Sequence, residues 1–307
     1  MHVDENLLTE FESGLNPQHL ERSAIPATLI GFGEISAIFQ IGDHSGTAFK
    51  RLPLFPDHPS AQIYISKYNE YCKLLGDAGL NLPPDQAIII SVPQRPVVLY
   101  IAQKQLPADR FAHRLIHRLA LDEIQVLFEN IVTEITKIWS YNQSTSPGRE
   151  LALDGQLSNW VWIDSESGGT LFYIDTSTPL FRKHGLEQME PELFLKSAPF
   201  FLRWIIRLFF LEDVMNRYYD RRQVYIDLAA NLYKEQRPDL IEPILALING
   251  HMSESDESIS LKEVEKYYRE DQLIWALFLA FRRIDRWLTT RILRRRYEFI
   301  LPGKIKR

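Results

Sequence analysis

The 307-residue chain contains a single cysteine, Cys72, and this scarcity limits its chemistry. One cysteine excludes an internal disulfide framework and any zinc site that needs several cysteines. A reducing, cytoplasmic location fits this composition. The N-terminal segment carries acids where a secretory signal would have basic residues and an apolar run, so we expect no leader peptide.

Long apolar runs are also missing. The most apolar stretch, Ala198–Leu211, has 14 residues and includes Arg203 and Arg207. It is too short and too charged to cross a bilayer, so we expect a core helix there. With 45% hydrophobic and 12% aromatic residues, the chain can bury a large core, and its length favours two structural units.

The chain lacks an overall excess of basic charge. Its formal net charge of −5 predicts no nucleic-acid partner. Basic residues nevertheless concentrate in Phe281–Arg307, which holds ten arginines and lysines but only two acids. The apolar run Leu273–Leu288 leads into this basic end, and two interpretations stay open. The helix either makes a weak contact with an anionic membrane, or packs on the helical part of the chain with a solvated arginine face.

The first third of the chain is rich in short β-forming runs. They are Ala27–Gly33, Ser36–Ile41, Thr47–Leu52, Ala87–Val92 and Pro96–Gln103. Helical periodicity over Ala61–Leu80 follows the third run. Lys50 lies inside that run and shares a face with Ala48 and Leu52. If Lys50 points inward it needs a charged partner, and Glu70 of the following helix is the candidate.

A glycine loop connects the first two strands. It reads Gly31-Phe32-Gly33-Glu34-Ile35-Ser36, a G-x-G-x-x-S pattern. Paired glycines let backbone amides approach a phosphate closely, although the same pattern also suits a simple hairpin turn. Because a strand and not a helix follows the loop, a Rossmann-type dinucleotide site is excluded.

The stretch Ala152–Phe181 contains a predicted β-hairpin. Its two strands and its turn are Trp160–Ile163, Thr170–Ile174 and Ser165–Gly169. Asp154 and Asn159 precede the first strand and Asp175 follows the second, which brings three oxygen ligands to one end of the ribbon. Such a set suits Mg²⁺ together with phosphate and water. The alternative is that Asp154 and Asn159 only make loop hydrogen bonds and Asp175 ends a strand.

The rest of the chain has helical patterns. They cover Leu121–Tyr141, Pro191–Tyr219, Arg221–Tyr233, Pro238–Ile248 and Leu261–Tyr297. The order of these features resembles the protein-kinase-like fold. The features are the glycine loop, the strand lysine, the helix glutamate, the long helix, the D-x4-N pair, the hairpin and the final aspartate. The pattern is most similar to aminoglycoside- and choline-kinase-type phosphotransferases, over roughly residues 25–250.

The resemblance implies an α+β, two-lobed architecture. The N-terminal lobe, residues 1–106, would hold a five-stranded antiparallel sheet with one helix and the glycine loop that covers the nucleotide. The larger, mainly helical C-terminal lobe, residues 107–307, would hold the catalytic loop, the metal aspartate and the basic C-terminal helix.

The resemblance also implies roles for individual residues. Asp154 would be the catalytic base or orient the acceptor, and Asn159 and Asp175 would bind Mg²⁺. The nucleotide-binding residues would be Gly31, Gly33, Ser36, Lys50, Glu70, Gln103 and Gln105, with Gln103–Leu106 holding the adenine through its backbone. The implied function is ATP- and Mg²⁺-dependent phosphorylation of a small hydroxylated molecule.

Several positions depart from the family pattern. Ala152 stands where the family usually has histidine, Leu153 replaces glycine or arginine, and Ser36 replaces the third glycine of the loop. Thr176 and Ser177 follow the metal aspartate, and no Ala-Pro-Glu element lies downstream. A pseudokinase that binds a nucleotide or a protein partner without phosphotransfer is therefore the alternative, and transfer of AMP is a further one. No motif in the helical lobe identifies the acceptor.

Overall fold

A computed structural model places residues 3–33, 35–44, 46–144, 148–165, 168–189, 193, 203, 211–253 and 256–302. Most of the predicted helix Pro191–Tyr219, including nearly all of the apolar stretch Ala198–Leu211, lies outside these described residues. Within the described part of the chain, no helix is both long and apolar enough to span a membrane.

Five antiparallel strands form the N-terminal sheet. They are β1 (Ala27–Phe32), β2 (Ala37–Ile41), β3 (Thr47–Phe55), β4 (Asp85–Ile90) and β5 (Val97–Lys104). Their spatial order is β1-β2-β3-β5-β4. The central strands β3 and β5 are buried along most of their length because both faces of the sheet are covered. This sheet, followed by a helical C-terminal part, confirms the predicted α+β class and is consistent with the predicted kinase-like fold.

Helices α1 (Glu5–Gly14) and α2 (His58–Asp77) cover opposite faces of the sheet. On the α1 side, Phe11 packs with Phe39 at a ring-centroid distance of 5.6 Å. On the α2 side, tyrosines of the helix pack against apolar residues of β3 and β5. Because side chains alternate along a strand, the neighbours Lys50 and Arg51 enter different layers: Lys50 faces α2 and Arg51 faces α1.

The C-terminal part is built from helices around a separate apolar core. They are α3 (Ala112–Leu115), α4 (Leu121–Ser144), α5 (Leu211–Tyr219), α6 (Arg221–Lys234), α7 (Ile241–Gly250) and α8 (Leu261–Trp287). The predicted periodicity of α4 is confirmed, since Ile124, Phe128, Ile131 and Ile135 are fully buried. Helix α6 is buried on nearly every side, which makes it the centre of this core.

The predicted hairpin is present as β7 (Trp160–Ser165) and β8 (Gly168–Tyr173). The structure also contains a small sheet that was not predicted. Its strands are β6 (Arg149–Leu151), β9 (Phe181–Lys183) and β10 (Leu186–Glu187), in the spatial order β10-β9-β6. Strands of two or three residues carry no detectable alternation, which explains why the sequence does not predict them.

The predicted C-terminal helix Leu261–Tyr297 is wrong at its end. Helix α8 stops at Trp287, a π-helical turn spans Leu288–Ile292, and Arg294 has a positive φ of 52°. The chain then returns to the N-terminal sheet, where Arg51 donates to the carbonyl of Glu298 (2.8 Å) and to its carboxylate (3.0 Å). This ion pair holds the tail against the sheet.

Candidate functional site

One cleft collects four of the predicted site residues. Gly33 and Ser36 line it from the loop between β1 and β2, and Asp154 and Asp175 line it from the segments before and after the hairpin. The other lining residues are Ile35, Ser177, Thr178, Leu180 and Tyr218. The cleft therefore lies between the N-terminal sheet and the helical part, with carboxylates on one wall and a backbone turn on the other.

The glycine loop is tight because of its own hydrogen bond. The Gly33 N–H donates to the carbonyl of Ser36 at 3.0 Å. A Cβ at Gly33 would lie 2.6 Å from the Ser36 hydroxyl oxygen, so a side chain there would displace the serine. Gly31 lies within β1, opposite Ile38, and does not line the cleft. Its phosphate contact stays a prediction, whereas Gly33 and Ser36 do line the cleft.

Lys50 points into the protein and contacts the segment that carries Asp175. Its side chain is only 4% exposed, and its Nζ donates to the carbonyl of Ile174 at 2.6 Å. The Gln103 amide donates to the same carbonyl at 3.3 Å. Burial lowers the pKa of Lys50, and the negative charge of Asp175 opposes this shift. Lys50 and Gln103 therefore both contact the residue that precedes the predicted metal ligand Asp175.

The predicted pairing of Lys50 with Glu70 is wrong. The Glu70 carboxylate pairs with Lys183 of β9, with 2.8 Å between Nζ and Oε2. The inward stripe of α2 consists of tyrosines, alanine and leucines. Glu70 lies beside that stripe and so reaches the small sheet of the helical part and not Lys50.

Asp85, which was not predicted, is an acid whose charge does act on Lys50. Asp85 begins β4 opposite Gln103, and Gln103 pairs on its other side with Ala48 of β3. Asp85, Gln103 and Lys50 consequently share the sheet face beneath α2. The charge of Asp85, like that of Asp175, opposes the fall in the pKa of Lys50. The predicted strand began two residues late, at Ala87, which left Asp85 in a loop.

In the connector after β5, several hydrogen-bonding groups are already bonded within the protein. The N–H groups of Lys104 and Gln105 donate to the carbonyls of Pro84 (2.8 Å) and Gly46 (2.9 Å). The Gln105 side chain accepts a hydrogen bond from Gln40 at 2.8 Å. These bonds occupy both N–H groups, so a backbone contact with an adenine ring would use other groups of Gln103–Leu106, and that contact stays a prediction.

The loop of Asp154 is closed by Asn159. The Asn159 Nδ2 donates to the carbonyl of Asp154 (3.1 Å), and the Ile174 N–H donates to the carbonyl of Asn159 (3.0 Å). The second bond brings the end of β8, and thus Asp175, beside Asn159. Because Nδ2 is used within the loop, the amide oxygen is the atom of Asn159 that could bind a cation.

Burial raises the pKa of the Asp154 carboxyl well above its ordinary range, and the charges of Asp227 and Asp175 raise it further. Asp227 lies on α6, directly behind the loop, and Lys234 of the same helix lies 3.8 Å from it. Asp227 was not predicted as a neighbour of Asp154, because the residue pattern of a buried helix does not indicate which loop the helix supports.

Helix α6 supports the Asp154 loop from behind. Asn231 Oδ1 accepts a hydrogen bond from the Leu157 N–H at 3.3 Å. A Cβ at Gly155 would come within 2.7 Å of Val224 Cγ1, so only glycine lets the loop lie this close to α6. The hydroxyl of Tyr71 donates to the carbonyl of Ala152 at 2.9 Å and holds the start of the loop.

The oxygen donors at the cleft suit a hard cation. Asp175 supplies a carboxylate, whose Oδ1 accepts from the Ser177 hydroxyl at 3.1 Å, and Asn159 supplies an amide oxygen. Within the described ranges, histidine, cysteine, aspartate and glutamate form no group of three placed to hold a metal ion. Two protein ligands are compatible with Mg²⁺, which commonly binds through one or two side chains plus phosphates and water.

Comparison with known proteins identifies the family of the chain. Residues 27–286 match the model of a family of unknown function, DUF6206, and the chain belongs to this family. No curated protein matches the chain. A solved structure described as WaaP in complex with acyl carrier protein is similar, with 14% identity over 74% of this chain and 92% of that chain. Its TM-score is 0.33, so the fold assignment rests on the topology described above.

Proposed function

We propose that this member of DUF6206 is an ATP- and Mg²⁺-dependent phosphotransferase that acts on a small hydroxylated molecule in the cytoplasm. The observation that supports this proposal is the contact of the buried Lys50 with Ile174, the residue before Asp175, which lines the cleft together with Asp154. A lysine is costly to bury, so its position facing two acids indicates a site for an anionic ligand bound with a cation.

Each group in the cleft has a chemical task in this proposal. Lys50 neutralises part of the charge on the nucleotide phosphates, and the backbone of Gly33 and Ser36 covers them. Asn159 and Asp175 would hold Mg²⁺, which when bound neutralises charge that develops on the phosphate oxygens. Asp154 orients the acceptor hydroxyl and accepts its proton as the new oxygen–phosphorus bond forms and the bond to ADP breaks.

The nucleotide would lie between two lobes, residues 1–106 and 107–307. Because the N–H groups of Lys104 and Gln105 are bonded within the protein, we place the adenine against the connector beyond Gln105. The acceptor would enter on the side of the cleft lined by Leu180 and Tyr218, next to Asp154.

A pseudokinase is the second candidate, and one observation favours it. The Glu70 carboxylate pairs with Lys183, so Lys50 does not form the lysine–glutamate ion pair that active protein kinases use. In this candidate the cleft binds a nucleotide, and the helical part contacts another protein without phosphotransfer.

The test combines nucleotide turnover with thermal shift. Wild-type protein, Asp154→Ala and Asp175→Ala are incubated with Mg²⁺ and ATP labelled at the γ- or α-phosphate, together with a metabolite pool. We expect γ-label transfer by the wild type and its loss in both variants. Asp43→Ala, which changes an exposed acid in the turn between β2 and β3, is the matched control and should behave like the wild type.

The outcomes separate the candidates. Stabilisation by Mg-ATP without label transfer would support the pseudokinase, and transfer of the α-label would indicate that AMP is the group transferred. Transfer at the wild-type rate by Asp175→Ala would refute the site assignment. Absence of both stabilisation and transfer would refute nucleotide binding at this cleft.

A further inference from the structure

Helix α8 has an exposed apolar face that the proposed function does not use. Leu273, Leu277, Ile284 and Trp287 are each between 47% and 61% exposed. Their spacings of four, seven and three residues place them on one side of a helix. At 1.5 Å per residue the face is about 21 Å long. We call these four residues the α8 face.

The inner side of α8 is fixed to the body of the protein. Asp271 lies 3.2 Å from Lys234 of α6. The buried Arg282 guanidinium lies 5.2 Å from the ring centroid of Phe299, in the segment that returns to the N-terminal sheet. Because both contacts are on the side opposite the α8 face, they hold the apolar residues outward. No folding step is needed to present this surface.

Positive charge accompanies the α8 face. Residues 273–296 contain seven arginines and one acid, Asp285, in a chain whose net charge is −5. Asp285 is only 8% exposed, so the acid contributes little to the outer surface. Arg291, Arg294 and Arg295 are exposed just beyond Trp287 and extend the apolar face with a cationic end.

This charge discriminates between possible occupants of the α8 face. A second copy of the chain packed face to face would bring two arginine-rich helices together, and like charges at an interface oppose association. An anionic bilayer supplies what both parts require: an acyl boundary for leucine and isoleucine, an interfacial layer for tryptophan, and phosphates for arginine.

We propose that the α8 face and the adjoining arginines form a docking surface for an anionic lipid bilayer. The helix would lie in the plane of the interface with Leu277 and Ile284 toward the acyl chains. This surface does not include residues of the cleft, so the proposal stands or fails independently of phosphotransfer.

Vesicle co-sedimentation of the full-length protein tests the apolar part. The probes are vesicles of phosphatidylcholine alone and vesicles that also contain phosphatidylglycerol. We expect binding to the anionic vesicles, and a reduction by roughly tenfold or more in Leu277→Glu, because a leucine that enters the acyl boundary is replaced by a charge. Val126→Glu, at an apolar residue of α4 that is 58% exposed, is the matched control and should bind like the wild type.

The cationic part is tested with a charge-matched pair of variants. Arg291→Gln with Arg294→Gln should weaken binding to anionic vesicles by roughly fivefold for each arginine removed, and added salt should weaken wild-type binding. Arg22→Gln with Arg118→Gln removes the same net charge at arginines that are 70% and 61% exposed, and should have a much smaller effect.

Thermal unfolding and light scattering complete the experiment. Unchanged unfolding of each variant shows that lost binding is not lost folding. Absence of wild-type binding, equal binding by wild type and Leu277→Glu, or equal losses in the two arginine pairs would overturn the proposal. A wild-type dimer that dissociates in Leu277→Glu would also overturn it, because the α8 face would then belong to a second copy.

Discussion

The sheet that carries Lys50 is held from its other face by a buried ion pair, and replacing Glu12 with glutamine measures its strength. The guanidinium of Arg51 donates to both Glu12 oxygens at 2.7 Å, and the Tyr100 hydroxyl donates to one of them at 2.5 Å. Glu12 is fully buried and Arg51 is 1% exposed. Removing one partner of such a pair leaves an uncompensated buried charge, which typically costs about 3–5 kcal/mol.

We expect Glu12→Gln to lower the free energy of unfolding by about 3 kcal/mol, at the lower end of that range, because Glu298 still contacts Arg51. Urea denaturation near neutral pH measures this change. Glu10→Gln, at an exposed position of the same helix, is the matched control and should change the free energy by less than about 0.5 kcal/mol. Equal losses in the two variants would refute the role of the buried pair.

The same pair predicts a pH dependence. Burial opposes ionisation of Glu12, but the hydrogen bond and charge of Arg51 prevail and lower its pKa below the ordinary 4.5. A carboxyl with a lowered pKa stabilises the fold above its unfolded value, and this stabilisation is lost as the pH falls through the folded value. The difference in stability between wild type and Glu12→Gln should therefore shrink below about pH 4.5.

Four further substitutions test other parts of the structure. Gly155→Ala should lower the free energy of unfolding, measured by urea denaturation, by about 1–3 kcal/mol, because its methyl group would meet Val224 Cγ1 at 2.7 Å. Gly76→Ala, at a position in α2 where an added Cβ would meet no atom within 4 Å, should raise the free energy of unfolding by about 0.5–1 kcal/mol. Burial lowers the pKa of His113 from 6.5 to about 4, so stability present above pH 6.5 is lost as the pH falls toward 4. His113→Gln should remove about 1–2 kcal/mol of that loss, allowing for partial exposure, when unfolding curves at acidic and neutral pH are compared. Glu70→Gln should cost no more than about 0.5 kcal/mol and leave any Mg-ATP thermal shift unchanged, because its ion pair is about one-third exposed; a lost shift would contradict the pairing seen here.

Periodicity predicted the elements that bury a regular stripe or alternate over several residues. The five strands of the sheet, the hairpin and helix α4 were all expected, within a few residues of their observed bounds. The strands of the small sheet were missed because they are too short to show alternation. The end of α8 was missed because the chain beyond it returns to the sheet, where Arg51 binds Glu298, a contact between residues 247 positions apart. Such a contact leaves no local pattern in either segment.

In the candidate site as well, contacts between residues close together in the sequence were predicted, whereas contacts between distant segments were not. Asp154, Asn159 and Asp175 were predicted together because one hairpin connects them, and the structure does place them together. Glu70 was expected to pair with Lys50 because an inward lysine needs a charged partner, although the tyrosine stripe visible in the sequence of α2 already turns Glu70 away from the sheet. Asp85 required the register of β4 against β5, which the sequence does not specify.

The tyrosine stripe of α2 suggests how this chain manages without a lysine–glutamate pair. Tyr64 donates to the carbonyl of Ser177 (2.6 Å) and Tyr68 donates to the carboxylate of Asp85. Tyr71, in turn, donates to the carbonyl of Ala152. Burial raises the pKa of all three hydroxyls, so they stay neutral donors at physiological pH. Tyrosine hydroxyl groups thus connect helix α2 to the segments before and after the hairpin and to the sheet face that carries Lys50. An ion pair between Glu70 and Lys50 is therefore not needed to position the helix.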